Sequence, residues 1–342
     1  MASLLTGILL INLGTPRNYS VIAVREYLNE FLSDPFVVDL PAVLRWILVK
    51  GIIAPFRARY SSGLYKKIWT EEGSPLLVNS QNFLQHLQQK LQGQYFVTLG
   101  MRYGEPDIAQ AIDELLAHHC ERIIILPLFP QYSLAASETA IQRALHVLHE
   151  KAPKISYQVV QDFYEHPAFV VPLAQKISSI NKRFQADCIL MSYHSLPVRQ
   201  LTKTEQTTPQ ACLTGKPCPV ITRENRSCYR AQCYTTSRAL ANELKLTEDQ
   251  YQVCFQSRLG RVPWIEPYAD KIIEELFQRG IRRLLVVCPS FVADCLETLE
   301  EMNIRLRNIW FKLGGEAFEL VPCLNADEAW IEEFPKIWES SR

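Results

Sequence analysis

The sequence predicts an α/β protein built from parallel sheets with helices on both faces, organised as two domains. Three observations carry this. Short apolar runs of strand type recur along the 342 residues, and helix-like stretches separate them, which is the pattern of βαβ units. Polarity does not strictly alternate along the runs, as expected of sheets covered on both sides. A faint internal echo pairs ERIIILPLF at 121–129, followed by Glu138-Thr139, with RRLLVVCPSF at 282–291, followed by Glu297-Thr298. The two offsets differ by three residues.

The elements follow in order. The opening MASLLTGILLINLGTP lacks a basic n-region and an A-x-A cleavage site, and its short apolar stretch reads as a first strand at 8–12. A helix is expected at 22–32. The segment 36–56, FVVDLPAVLRWILVKGIIAPF, comes closest to a membrane span. Asp39, Arg45 and Lys50 interrupt it, so it falls short of the roughly 20 apolar residues a span needs. Val43, Leu44, Ile47, Leu48 and Ile52 share one helical face, either a core helix or an apolar lip with Trp46 at an interface. A helix at 76–91, a strand at 95–99, a helix at 108–117, a strand at 123–126, a helix at 138–149 and a strand at 157–160 complete the first half.

The second half repeats the alternation. Helices are expected at 167–180, 229–244, 269–279 and 294–307, with strands at 188–191, 252–255, 284–287 and 318–321. The boundaries are set at 1–160 and 161–326, with a cysteine-rich insert at 205–233. A final helix at 327–342 packs back on either half.

Composition narrows the function. Basic and acidic residues balance at 36 each, which gives no electrostatic footprint for nucleic acid. Ten cysteines without a secretion signal read as reduced thiols or metal ligands, with the cytoplasm as the expected compartment. Nothing in the sequence sets an oligomeric state.

Two strand ends carry the chemistry. In CILMSYHSLP, 188–197, His194 follows an apolar run between the small Ser192 and Ser195, with Pro197 ending the segment. Lone histidines are commonly structural, yet one at a strand mouth can take protons near neutral pH. After the run at 284–287, Asp294, Glu297 and Glu301 stand at i, i+3 and i+7, one face of a helix that starts where α/β ligands sit. Such a face is usually solvated, and Asp294 is also placed to cap the helix. One imidazole with carboxylates suits a borderline divalent metal such as Fe²⁺, held briefly.

Seven segments in order resemble the ferrochelatase family: LLINLGTP at 9–16, GSPL at 73–76, MRYGEP at 101–106, LPLFPQYS at 126–133, SYHSLP at 192–197, FQSRLGRVPWIEPY at 255–268 and FVADCLETLEEM at 291–302. The lip and WTEEGSPL resemble proteobacterial members in particular. The resemblance implies two flavodoxin-like (Rossmann-like) domains with the active-site cleft between them. It implies an enzyme that inserts Fe²⁺, its metal substrate, into protoporphyrin IX to make protohaem. His194 is implied as proton acceptor or metal ligand, Glu297 opposite it, and Asp294 and Glu301 as an acidic path. Where many members carry a second histidine after the aspartate, this chain has Cys295, which puts a two-histidine relay in doubt. By motif, Leu13, Arg102, Tyr103, Tyr132 and Trp264 are the expected porphyrin contacts, with Arg102 pairing either with a propionate or with a nearby carboxylate. Asn12, Ser133 and Arg258 are supporting candidates. A rigid clamp that prefers a bent macrocycle would expose the nitrogen lone pairs, which is binding of a transition-state-like shape. Coproporphyrin III or another tetrapyrrole is the alternative substrate, and a non-catalytic porphyrin carrier the alternative class. The lip also suggests peripheral contact with the inner membrane.

The insert holds Cys212, Cys218, Cys228 and Cys233, spaced C-x5-C-x9-C-x4-C. Four thiols in so short a stretch read as a metal or cluster site, and the C-x2-C pairs typical of zinc are absent. Some microbial ferrochelatases carry a [2Fe–2S] cluster, and the resemblance implies one here. Cys120, Cys188, Cys254, Cys288 and Cys323 lie in or beside apolar runs and read as small core residues.

Overall fold

The computed structural model describes residues 5–201, 203, 218–258, 260 and 262–340. Among the described residues the chain divides into two compact units. The first comprises 1–129, 134–162 and 325–342, and the second 130–133 and 163–324.

In the first unit β1 (Thr6–Gly14), β2 (Tyr95–Tyr103), β3 (Arg122–Pro127) and β4 (Ser156–Val159) form a parallel sheet in the order β2-β1-β3-β4. In the second, β5 (Cys188–His194), β6 (Tyr251–Gln256), β7 (Arg283–Val287) and β8 (Ala317–Leu320) form a parallel sheet in the order β6-β5-β7-β8. Every expected strand run overlaps one of these. The two orders are the same, which gives the internal echo a structural counterpart. In each sheet the first strand sits between the second and third, so the winding reverses beside it. The crevice at such a reversal, outside the carboxyl ends of the strands, is where open α/β sheets bind ligands.

The sheets hold because their strands are apolar on both faces. In the first unit Leu9, Ile11, Ile123 and Ile125 pack with Ile108, Ile112 and Leu115 of the helix Ile108–Ala117 and with Ala140, Ala144 and Val147 of Thr139–Lys151. Asp107 starts the first of these helices with a capping box closed by Gln110. In the second unit Leu190, Leu284 and Val286 pack with Ile273 and Leu276 of Ala269–Gln278. Met302, Leu306 and Trp310 join the same core. Burying side chains of this size stabilises by about 1.5–3 kcal/mol each. The expected helix at 294–307 differs from its pattern. It is a π-helix at Glu297–Leu306 that passes into an α-helix at Arg307–Leu313. π-Helical turns are rare and concentrate at functional sites.

The segment after β8 packs against the first unit. Trp330, Phe334 and Trp338 are buried, with ring centroids 5.9 Å from Phe83 to Trp330, 4.9 Å from Phe83 to Phe334 and 5.7 Å from Tyr95 to Trp338. Lys90 pairs with Glu332 at 2.6 Å.

The 36–56 segment is not the core helix its pattern allows. The helix Ala42–Trp46 continues through a π-helical stretch, Ile47–Ile53, into Ala54–Ile68. Val43, Leu44, Trp46, Ile47, Ile52 and Phe56 are exposed, Phe56 at 78 %. Among the described residues no helix is long and apolar enough to cross a membrane.

Candidate functional site

In the second unit His194 is the last residue of β5, beside β7, at the reversal of strand order. Its backbone is held on both sides: its N–H donates to Ser290 Oγ at 3.2 Å, and its carbonyl accepts from the Tyr229 hydroxyl at 2.8 Å. Its ring Nδ1 lies 2.6 Å from the carbonyl oxygen of Ser195. A carbonyl can only accept, so Nδ1 carries the proton and a neutral ring keeps its lone pair on Nε2. This is the tautomer that a proton acceptor or metal ligand needs.

The carboxylates stand on the π-helix that follows β7. Gln256, at the end of β6, ties them to the histidine strand. Its carbonyl accepts from Ser195 N at 2.7 Å, its Nε2 donates to the Glu297 carbonyl at 3.0 Å, and its Oε1 accepts from Ser192 Oγ at 2.6 Å. The next residue, Ser257, binds both oxygens of Glu301, through its N–H at 2.9 Å and through its hydroxyl. Ser257 does so at φ +69°, in the left-handed region that a residue with a side chain enters at a cost. Burial pushes the Glu301 carboxyl above its ordinary range, opposed by the Ser257 hydrogen bonds and by the charges of His194 and Arg305. Burial first, and then the nearby Glu297 carboxylate, drive the Cys295 thiol upward.

Asp294 corrects the expected three-carboxylate face. It precedes the π-helix, is buried, and its Oδ1 accepts from Thr298 Oγ1 at 3.0 Å and from Cys323 N at 3.3 Å. Periodicity placed it on a helix that has not yet begun, and the carboxylate fastens the helix entry to the end of β8. Glu300, buried at 2 %, pairs instead with Arg305 at 2.5 Å.

Trp264 lies against the chain just after His194. Pro197 and Trp264 form an antiparallel bridge, and Val198 N donates to Pro263 O at 3.0 Å. Tyr132 belongs to the short stretch 130–133 that joins this unit. It is buried, and its N–H donates to Gln232 Oε1 at 2.6 Å. Ser133 beside it is also buried, while Arg258 makes a half-exposed pair with Asp270 at 2.5 Å.

The equivalent strand mouth of the first unit is formed by Asn12, Leu13 and Gly14. Asn12 Nδ2 donates to Ser80 Oγ at 3.1 Å, and its own Oδ1 accepts from Leu13 N at 2.8 Å, leaving the Leu13 side chain half-buried. Gly14 has φ +109°, and a Cβ there would stand 1.7 Å from the Tyr103 carbonyl oxygen, so only glycine lets β1 and β2 close at this end. Arg102 and Tyr103, two of the expected porphyrin contacts, share one partner. Both turn toward Asp34, a carboxylate 2 % exposed that the sequence pattern did not mark. Its Oδ2 accepts from Arg102, from Tyr103 OH at 2.8 Å and from Thr139 Oγ1 at 2.6 Å, and Arg102 Nε donates to Thr139 Oγ1 at 2.7 Å. Burial, then the Asp34 charge, drives the Tyr103 hydroxyl far above its ordinary range. The nearby carboxylate considered as a partner for Arg102 is Asp34.

The family model for ferrochelatase matches residues 5–341. A ferrochelatase from Coxiella burnetii (strain Dugway 5J108-111) is 47 % identical over 337 residues, covering 98 % of this chain and 93 % of the relative. One from Legionella pneumophila (strain Lens) is 48 % identical over 333 residues, covering 97 % and 98 %. The chain belongs to the ferrochelatase family. Among solved structures, the sirohydrochlorin chelatase SirB from Bacillus subtilis subspecies spizizenii, in complex with cobalt, aligns with TM-score 0.56 at 9 % identity over 98 % of this chain and 95 % of that one. At that identity the likeness concerns the fold alone.

Within this ferrochelatase-family chain the cysteine insert is partly visible. Cys212 lies outside the described residues. Cys228 is the N-cap of the helix Tyr229–Leu244 and Cys233 is in its second turn, both buried, and Cys218 is half-buried with Arg230 Nη1 donating to its sulfur at 2.8 Å. Cys218 and Cys228 are near enough that their charges act on Cys233, whose thiol burial raises well above its usual range. Among the described residues no group of three or more histidine, cysteine, aspartate or glutamate side chains is arranged to hold a metal ion. Cys120, Cys188, Cys254, Cys288 and Cys323 are buried, the thiols of Cys188 and Cys254 pushed up to about 12 by burial.

Proposed function

We propose that this chain inserts Fe²⁺ into protoporphyrin IX, a lyase-type metallation yielding protohaem and two protons. The observation that carries the assignment of roles is the pairing at the second sheet's strand ends. His194 keeps Nε2 as its lone-pair nitrogen, and the end of β6 brings the acidic helix to the same strand end, with Gln256 joining Ser195 N–H to the Glu297 carbonyl and Ser257 holding Glu301. In this reading His194 accepts a pyrrole N–H proton or ligates the entering iron, and Glu297 and Glu301 take protons or pass the cation. Asp294 keeps the acidic helix in place. Leu13, Arg102, Tyr103, Tyr132 and Trp264 are the macrocycle contacts that the family motifs assign, and within the first unit the Asp34 network holds Arg102 and Tyr103 in place.

His194→Ala tests the reading. Anaerobic absorbance assays are expected to show metallation falling at least about a hundredfold, with protoporphyrin binding largely kept. A variant that metallates at the parental rate would overturn the role of His194. Absence of turnover with both protoporphyrin IX and coproporphyrin III in active-site-intact protein would overturn the reaction. The apolar lip favours protoporphyrin, the less polar of the two.

The chemistry of the insert's donors supports a [2Fe–2S] cluster on Cys212, Cys218, Cys228 and Cys233. Cys218 and Cys228 each lie within electrostatic range of Cys233, and the Arg230 cation donates to the Cys218 sulfur, where it would offset thiolate charge. A bound cluster would cross-link the insert to the helix start. Anaerobically purified protein is expected to contain matched iron and sulfide, and colourless, metal-free protein would remove the assignment. The exposed lip at 42–56 supports a peripheral contact with the cytoplasmic face of the inner membrane.

A further inference from the structure

The helix that starts the cysteine site also holds the histidine strand. Tyr229 and Gln232 stand between Cys228 and Cys233 in sequence. Tyr229 donates to the His194 carbonyl at 2.8 Å. Ser290 Oγ accepts the His194 N–H at 3.2 Å. Gln232 accepts Tyr132 N at 2.6 Å and donates to Arg226 O at 2.8 Å, just before Cys228. One turn on, Thr236 Oγ1 accepts from Gln131 Nε2 at 3.0 Å, and the same Nε2 donates to Pro289 O at 3.2 Å. Tyr229, Gln232, Thr236 and Gln131 are each at most 6 % exposed. Buried polar groups linked in this way depend on one another, because no solvent replaces a broken bond.

We propose that Tyr229 is a positioning residue for His194: its hydroxyl, in the first turn of the helix Tyr229–Leu244, holds the carbonyl of the last residue of β5 and so fixes where the imidazole stands. The proposal rests on the role given to His194 above.

Tyr229→Phe deletes only the hydroxyl. Losing one such bond is expected to lower kcat about five- to tenfold, with KM for protoporphyrin within about twofold of the parent. Backbone amide exchange at the end of β5 gives a readout independent of activity: exchange at 192–195 is expected to be faster in Tyr229→Phe than in the parent, with exchange in the rest of the sheet unchanged. Parental kcat, or parental exchange at 192–195, in Tyr229→Phe overturns the positioning role. Should the parent itself metallate neither porphyrin, the reading of His194 fails while the exchange comparison still decides whether Tyr229 holds the end of β5.

Discussion

Ser257 keeps a carboxylate in a place that burial disfavours. Glu301 has its carboxyl raised above the ordinary 4.5, with burial the largest cause. The folded state therefore holds its proton more tightly than the unfolded chain. The stabilisation from that proton is full below about pH 4.5 and is lost as pH rises through the folded value. Glu301→Gln cannot ionise, so it should unfold at higher urea than the parent near about pH 7.5, the gap closing toward acid. Urea titrations at several pH values read this, and a gap that widened toward acid would contradict the burial account. At this scale the sequence was partly legible. His194, Glu297 and Glu301 stand out by type and by position at a strand end. Asp34, Gln256, Ser257 and Tyr229 do not, because their partners lie far along the chain; Asp34 meets Thr139 and Ser257 meets Glu301. Local periodicity carries no trace of such pairs. Asp294 was misplaced because spacing assumes a helix already under way.

Strands were the most readable elements, since runs apolar on both faces leave few other structures open to them. The π-helix was not readable, because the same residues carry an acceptable 3.6-residue pattern. The lip was ambiguous for a related reason: an apolar helical stripe looks alike whether it faces a core or solvent. Its exposure leads to a plain expectation. Replacing Leu44, Ile47, Ile52 and Phe56 with serine should change the thermal midpoint by no more than a few degrees, since exposed substitutions usually cost about 0.5 kcal/mol or less each. The same variant should co-sediment less with vesicles containing anionic lipid. A large drop in thermal midpoint would show that the stripe packs against the protein, and unchanged co-sedimentation would refute the membrane contact.

The two units share one strand order, yet they differ in how the chain completes them. The second sheet is drawn from a single stretch of sequence, whereas the first unit needs 325–342 to cover Phe83 and Tyr95. The sequence showed the final helix but not its host, because nothing local in it names the surface that Trp330, Phe334 and Trp338 fill. A fragment comprising 1–162 should therefore be compact but loosely packed, with weak near-ultraviolet dichroism, and should gain fixed aromatic signals when a 325–342 peptide is added. A fragment already rigid without the peptide would refute this.

That late-arriving aromatic wedge also bears on synthesis. A ribosome builds the first sheet well before it supplies the segment that closes it. Any product that stops short of residue 325 would leave Phe83 bare, an apolar surface of the kind that chaperones and proteases recognise.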